Sequence, residues 1–305
     1  MKNLFRTFLI LSVLVTSSIA EEPACLDHHI VATITNGNFA PITGLESANF
    51  WVSIDKMPAS ILSTRALTDG RIILLFDQRK AFNDIFEFEK IAAESFLEAI
   101  PDDLSVSVIS YSNTVQVISD FGVPGKESAR RIHELQAVPG RHAVAGALQL
   151  AIRKLSPLQM GDAIVLMSVP EVLFPEETAQ TKQLADDKMT LSNRGIRVFT
   201  LLLQGWRPSR GEDRMGKALY FAISEDTGGM LISPDYTTEK GERAAARLIS
   251  GLGSSYDVEI QVPRTKSQKK AKVELKLISA PDGKRVVTHS TWVLPCDNRT
   301  GTQSH

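Results

Sequence analysis

Three short stretches hold side chains able to do chemistry. They are Asp77-Gln78-Arg79-Lys80-Ala81, Gly140-Arg141-His142-Ala143 and Ser168-Val169-Pro170-Glu171. A serine hydroxyl, an imidazole and a carboxylate are the parts of an activated nucleophile, so Asp77, His142 and Ser168 together would make a hydrolase. Three such residues on neighbouring loops also arise by coincidence. The chain has no G-x-S-x-G elbow, H-E-x-x-H, G-x-x-x-x-G-K-[ST] or G-x-G-x-x-G to support an enzyme. His28-His29 is an adjacent pair, and neighbours in a strand point to opposite faces, which disfavours a shared metal.

Two basic stretches offer binding rather than catalysis. Arg264, Lys266, Lys269, Lys270 and Lys272 lie between two expected strands. They read first as a solvated hairpin loop and second as a patch for an anionic surface, with no interleaved aromatics for base stacking. Arg207, Arg210, Arg214 and Lys217 follow Trp206, which has the composition of an interface anchor and equally that of a ring packed under its own loop. Asn298-Arg299-Thr300 matches a glycosylation sequon.

The elements that must position these groups follow from periodicity. Residues 30–35 and 50–54 alternate around Asn36-Gly37 and read as strands joined by turns. Arg71 to Asp77 is a continuous apolar run ending in an acid, as in a strand buried on both faces of a parallel sheet. Ile85, Phe88, Ile91, Ala92, Phe96 and Ile100 then fall at helical spacing, closed by Pro101. Strands at 105–111, 114–119, 163–167 and 196–202 alternate with helices at 126–136, 143–155, 176–194, 213–226 and 239–252. That exchange specifies a doubly wound α/β domain with a mainly parallel sheet. Beyond Gly253 the period returns to two, with strands at 256–262, 271–278 and 286–294 and a turn at Pro281-Asp282-Gly283. The expected organisation is a β segment at 21–69, the α/β domain at 70–253, a C-terminal β segment at 254–297 and a tail at 298–305. The two β segments are expected to form one small β domain.

This pattern resembles a von Willebrand factor A-like domain, in particular the exported bacterial group in which β segments flank that domain. The resemblance rests on Val31-Ala32-Thr33-Ile34-Thr35-Asn36-Gly37 with the following Pro41 to Phe50, on Arg71 to Asp77, and on Tyr256 to Val262. It implies a divalent metal at the carboxyl ends of the strands, held by D-x-S-x-S, a threonine and a second aspartate, where hard oxygen ligands suit Mg²⁺. Of that set this chain keeps Asp77. Arg79 and Ala81 stand where hydroxyls are expected, His142 where the threonine is, and Ser168 or Val169 where the acid is. Arg79 or Lys80 beside Asp77 would oppose a dication, so the expectation is a degenerate site with no metal and no cofactor. The preferred reading of Asp77 is a turn cap or a partner of Arg79. Arg79, Lys80, Arg141 and His142 would then make the apex cationic, open to a partner's carboxylate.

Composition and the termini set the compartment. Of 305 residues, 43% are hydrophobic and 23% charged, which is ordinary for a globular protein. Lys2 and Arg6, the apolar stretch from Phe8 to Val15 and the small residues Ser18 and Ala20 read as a signal peptide cleaved after Ala20. Removing Lys2 and Arg6 from 34 basic residues against 35 acidic leaves a net charge near −3, which argues against nucleic acid as the partner. No later apolar run reaches the ~18 residues that span a bilayer. Cys25 and Cys296 are the only cysteines, near the two ends of an exported chain, and read as one disulfide; the alternative is two unpaired thiols.

The function expected from all this is an exported, secreted or periplasmic, non-enzymatic scaffold that binds a protein partner of the cell envelope. Asp77, Arg79, Lys80, Arg141, His142, Ser168 and Trp206 form the expected contact apex. The alternatives are the hydrolase and a small-molecule carrier with a deep apolar pocket.

Overall fold

The computed structural model describes residues 28–36, 38–80, 83–101, 104–140, 143–169, 178–203, 212–261, 273–278 and 286–293. Two six-stranded sheets organise them. The first takes strands from both ends of the chain: β1 (His28–Asn36), β2 (Phe50–Ile54), β3 (Met57–Ala66), β10 (Ser255–Gln261), β11 (Val273–Leu277) and β12 (Val286–Val293). Their order is β11-β2-β3-β10-β1-β12, with antiparallel pairing throughout. N- and C-terminal strands therefore interleave instead of lying side by side, and the expected single β unit is present. Its core holds Ile30, Ile34, Phe50, Val52, Tyr256 and Val258, with Phe50 and Tyr256 edge-to-face at 5.9 Å.

The second sheet is the α/β part. Its strands are β4 (Arg71–Asp77), β5 (Ser105–Tyr111), β6 (Val115–Ser119), β7 (Ala163–Ser168), β8 (Arg197–Leu202) and β9 (Leu231–Ile232). Their order is β6-β5-β4-β7-β8-β9, parallel except for the edge strand β6. Helices α1 (Asn83–Ala99), α2 (Gly125–His133) and α6 (Gly241–Gly253) cover one face, packing on Leu74, Phe76, Val108 and Phe199. Helices α3 (Val144–Lys154), α4 (Thr178–Asn193) and α5 (Glu212–Asp226) cover the other, on Ile73, Leu75, Ile109 and Leu166. Every residue of β7 and β8 is buried, which is why those strands are mostly apolar, although β8 also buries Arg197 and Thr200.

The chain runs from β4 through α1 to β5 on one side, then crosses to β7 on the other. The carboxyl end of β4, where Asp77 sits, is therefore the topological switch point, the place where open α/β sheets carry their ligand crevices.

Four readings of the sequence are corrected. Strand β3 was not foreseen, because no residue along it is fully buried and no apolar period marks it. It follows β2 through the two-residue turn Asp55-Lys56, whose φ values of 51° and 70° are the left-handed pair such a hairpin needs without its usual glycine. Strands β10 and β11 are not hairpin partners, being separated in the sheet by β3 and β2, and the run at 264–272 itself lies outside the described residues. Nor does Pro281-Asp282-Gly283 join hairpin partners, because β11 and β12 end the sheet order on opposite sides. On α1, Ile91 is 42% exposed and the helix buries Glu89 instead, at 1%.

Candidate functional site

The carboxyl edge of the parallel sheet collects side chains from five elements, β4, β5, β7, α1 and α5. Asp77 ends β4, and its side chain is fully buried against that of Arg79, which is 9% exposed. Arg79 Nε donates to Asp77 Oδ1 at 2.9 Å, and a terminal guanidinium nitrogen donates to Oδ2 at 2.7 Å. The Arg79 backbone N–H also reaches Oδ1 at 3.1 Å, so the carboxylate caps its own turn as well as binding the guanidinium. The pairing weighed for Asp77 from the sequence is thus present, in the bidentate form that fixes both planes.

The same ion pair ties the edge together. The guanidinium nitrogen that meets Oδ2 also donates to the Val169 carbonyl at 2.9 Å, and Val169 N–H donates back to Asp77 Oδ2 at 3.3 Å. On the other side, Lys80 N–H meets the Val138 carbonyl at 2.8 Å and Val138 N–H meets the Gln78 carbonyl at 2.9 Å. Gln78 Nε2 donates to the Gln136 carbonyl at 2.9 Å. Segments 77–80, 136–138 and 167–169 are therefore one hydrogen-bonded unit. Gly140 closes it: a Cβ there would stand 3.0 Å from the Asn113 nitrogen and 3.1 Å from Ser112 Cβ.

Beneath this layer lies a polar network that periodicity did not reveal. Glu89, from α1, accepts the Asp77 backbone N–H at 2.9 Å. Burial, then the charge of Asp77, push its carboxyl well above the usual range, so it holds a proton when exposed carboxyls have lost theirs. Tyr111, fully buried at the end of β5, donates to the Met167 carbonyl at 2.8 Å, and burial likewise raises its phenol. Ser168 Oγ lies 3.0 Å from the Tyr220 hydroxyl of α5. The available signal for Glu89 was its place on the Ile85, Ala92 and Phe96 stripe, where a charged residue is out of character. Tyr111 and Tyr220 gave no comparable signal.

The expected residues fare unequally. Asp77 and Arg79 meet each other and Ser168 ends the neighbouring strand, while Lys80 is exposed. Arg141, His142 and Trp206 lie outside the described residues, as do Cys25, Cys296 and the basic run at 264–272. The expectation that Arg79 offers its fork to a partner's carboxylate is corrected: Asp77 already takes that fork. For the hydrolase alternative, Ser168 is fully buried and hydrogen-bonded to Tyr220, and both Asp77 oxygens are occupied by N–H donors.

The divalent metal implied by the resemblance does not fit this edge. A metal ligand must present a lone pair to the ion, and each Asp77 oxygen instead accepts two N–H groups. The guanidinium is the cation in that place. Among the described residues no group of three His, Cys, Asp or Glu side chains could hold an ion.

No family model and no curated protein matches the chain. Among solved structures, it is similar to the conserved hypothetical protein BatB from Bacteroides thetaiotaomicron, at 14% identity over 60% of this chain and 98% of that one, with a TM-score of 0.46. It is similar to a von Willebrand factor type A protein from Catenulispora acidiphila, at 12% identity over 90% of this chain and 75% of that one, with a TM-score of 0.46. A third is the vWF domain of the type V pili tip protein Mfa5 from Porphyromonas gingivalis, at 11% identity over 60% of this chain and 95% of that one, with a TM-score of 0.43.

Proposed function

We propose that this chain is an exported, non-enzymatic binding protein that grips a protein partner with the carboxyl edge of its parallel sheet and needs no metal ion to do so. The observation that carries the reading is the Asp77–Arg79 pair, bidentate at 2.9 and 2.7 Å and extended to the Val169 carbonyl. A resident guanidinium holds the strand ends in fixed relation, so the edge is pre-organised before any partner arrives. Lys80, Asn113, Thr114, Pro139 and Gly140 are exposed around it and form the outer shell of the surface. Its position at the switch point is where this architecture recognises ligands. A buried serine bonded to a tyrosine is a poor start for a nucleophile, which disfavours the hydrolase.

Export is part of the proposal and rests on the N-terminal signal pattern. Among the described residues no helix is long and apolar enough to cross a membrane. The disulfide is proposed with it. His29 pairs with Val293 across β1 and β12, so the described chain enters and leaves this sheet side by side; in the sequence Cys25 stands four residues before His29 and Cys296 three after Val293.

A photo-crosslinking amino acid at Lys80 or Asn113, compared with one at the exposed Leu62 of β3, tests the surface in the cells that make the protein. Adducts to a partner protein should form from positions 80 and 113 and persist in EDTA. Adducts from position 62 alone would move the contact to the β sheet and overturn the assignment.

A further inference from the structure

At the opposite, amino-terminal edge of the parallel sheet a cavity of about 140 Å³ opens between α1, α6 and the start of β4. Leu67, Ile100, Leu104, Ile249 and Leu252 give it an apolar wall, and Gly70 and Gly161 let the backbones close in at its base. Gly70 could not be replaced there, since a Cβ would lie 2.2 Å from the Gly161 carbonyl oxygen. The cavity also has a charge in its wall. Arg197, the first residue of β8, is 2% exposed, donating to the Gly161 carbonyl at 2.6 Å and, weakly, to the Leu252 carbonyl at 3.4 Å.

This arginine is unlike the other buried arginine of the sheet edge. Arg79 has Asp77, and Arg71, beside the cavity, has Asp162 at 2.7 Å in bidentate contact. Arg197 has two carbonyls and the Phe199 ring, whose centroid lies 5.8 Å from the guanidinium carbon, and no carboxylate in hydrogen-bond contact among the described residues. Its Nε–H has no acceptor among the described residues, and burial lowers its pKa to about 10. Asp162, which acts on it at longer range, is already engaged by Arg71, and Asp69, which also lines the cavity, is exposed, so water screens it. A buried cation with no carboxylate in contact is costly to the fold, and a ligand carboxylate in the cavity would offset that cost.

We propose that this cavity binds a small amphipathic monocarboxylate of about eight heavy atoms, its hydrocarbon on the apolar wall and its carboxylate on Arg197. The volume suits that size, since a cavity of about 150 Å³ accepts a benzene ring. The location gives the ligand a consequence. Both described crossings between the two sheets line the cavity: residues 67–70 lead from β3 to β4, and Gly253 leads from α6 to β10. A bound ligand would bridge those crossings and stiffen the joint between the sheets. The site stands or falls independently of the carboxyl edge at the far end of the strands.

Calorimetric titration of the full chain with hexanoate and with hexan-1-ol tests the proposal, on wild type, Arg197→Met and Ile249→Trp. Hexanoate should bind wild type with a dissociation constant of about 0.1–1 mM, the range open to so small a ligand, and the alcohol about tenfold or more weakly. Arg197→Met should reverse the preference, and Ile249→Trp, which puts an indole into the cavity, should abolish both. Should Arg197→Met fail to fold, the wild-type preference and the half-buried Ile249 position still decide. No hexanoate binding at millimolar concentration, equal affinity for acid and alcohol, or binding that survives Ile249→Trp would each overturn the proposal.

Discussion

Arg79→Met should cost the fold about 3–5 kcal/mol, because it strips the partner from a carboxylate whose side chain is fully buried. Methionine keeps most of the apolar stem, so the loss measures the charge and its hydrogen bonds, not missing volume. Asp77 Oδ1 and Oδ2 would each lose a guanidinium donor, and the Val169 carbonyl would lose its bond from Arg79. The double variant Asp77→Asn, Arg79→Met should recover a large part of that loss, since a neutral amide leaves no stranded charge. Urea unfolding reads both, provided the m-value is unchanged between variants. A loss under about 1 kcal/mol for Arg79→Met, or a double variant no better than the single one, would mean that the pair is solvated and does not organise the edge.

The second large effect is on pH dependence. Glu89 has a folded-state pKa raised well above the ordinary carboxyl value, chiefly by burial and then by Asp77. In the folded protein it keeps its proton while the unfolded chain has released it. The folded state thus binds the extra proton, and its contribution to stability is complete below the ordinary value of 4.5 and lost as pH rises toward the folded value. Glu89→Gln retains an oxygen to accept the Asp77 N–H and cannot titrate. Relative to wild type, its stability should therefore improve from pH 5 to pH 8 in parallel urea titrations. Parallel profiles for the two proteins would show that Glu89 is not held in its neutral form.

How much of this was legible in the chain depends on which physical signal each element carries. The unbroken apolar run ending at Asp77 marked β4 because parallel strands covered on both faces need no polar side, and β7 and β8 declared themselves alike. Strand β3 carries no such mark: it is exposed or half-buried along its length, with Ala59 and Ile61 packing only partly on the core, and its turn uses Asp55-Lys56 in place of a glycine-containing pair. Strand pairing was hidden for a different reason. Local alternation fixes which face of β10 or β11 is apolar, but sheet order depends on packing among all six strands, and neither strand's period announces that β2 and β3 come between them.

The site was half legible. The types and spacing at 77 and 79 allow an ion pair and disfavour a metal, and the geometry carries that pair. Sequence alone cannot say whether a guanidinium two residues from a carboxylate points outward to a partner or inward to its neighbour. Burial decides it, since the Asp77 side chain is fully buried and Arg79 lies in contact with it. Glu89 is obscured because apolar periodicity on α1 takes in the exposed Ile91 and passes over a buried acid.

The proposed metal-free edge puts an internal guanidinium where the family resemblance implies a dication. Calorimetric titration of the protein with Mn²⁺ and Mg²⁺ tests it most directly, in wild type and in Asp77→Ala. No binding tighter than millimolar is expected, because each Asp77 oxygen already accepts N–H donors and a positive charge lies at 2.7 Å. Stoichiometric micromolar binding that disappears in Asp77→Ala would contradict the account and return the edge to metal-dependent recognition.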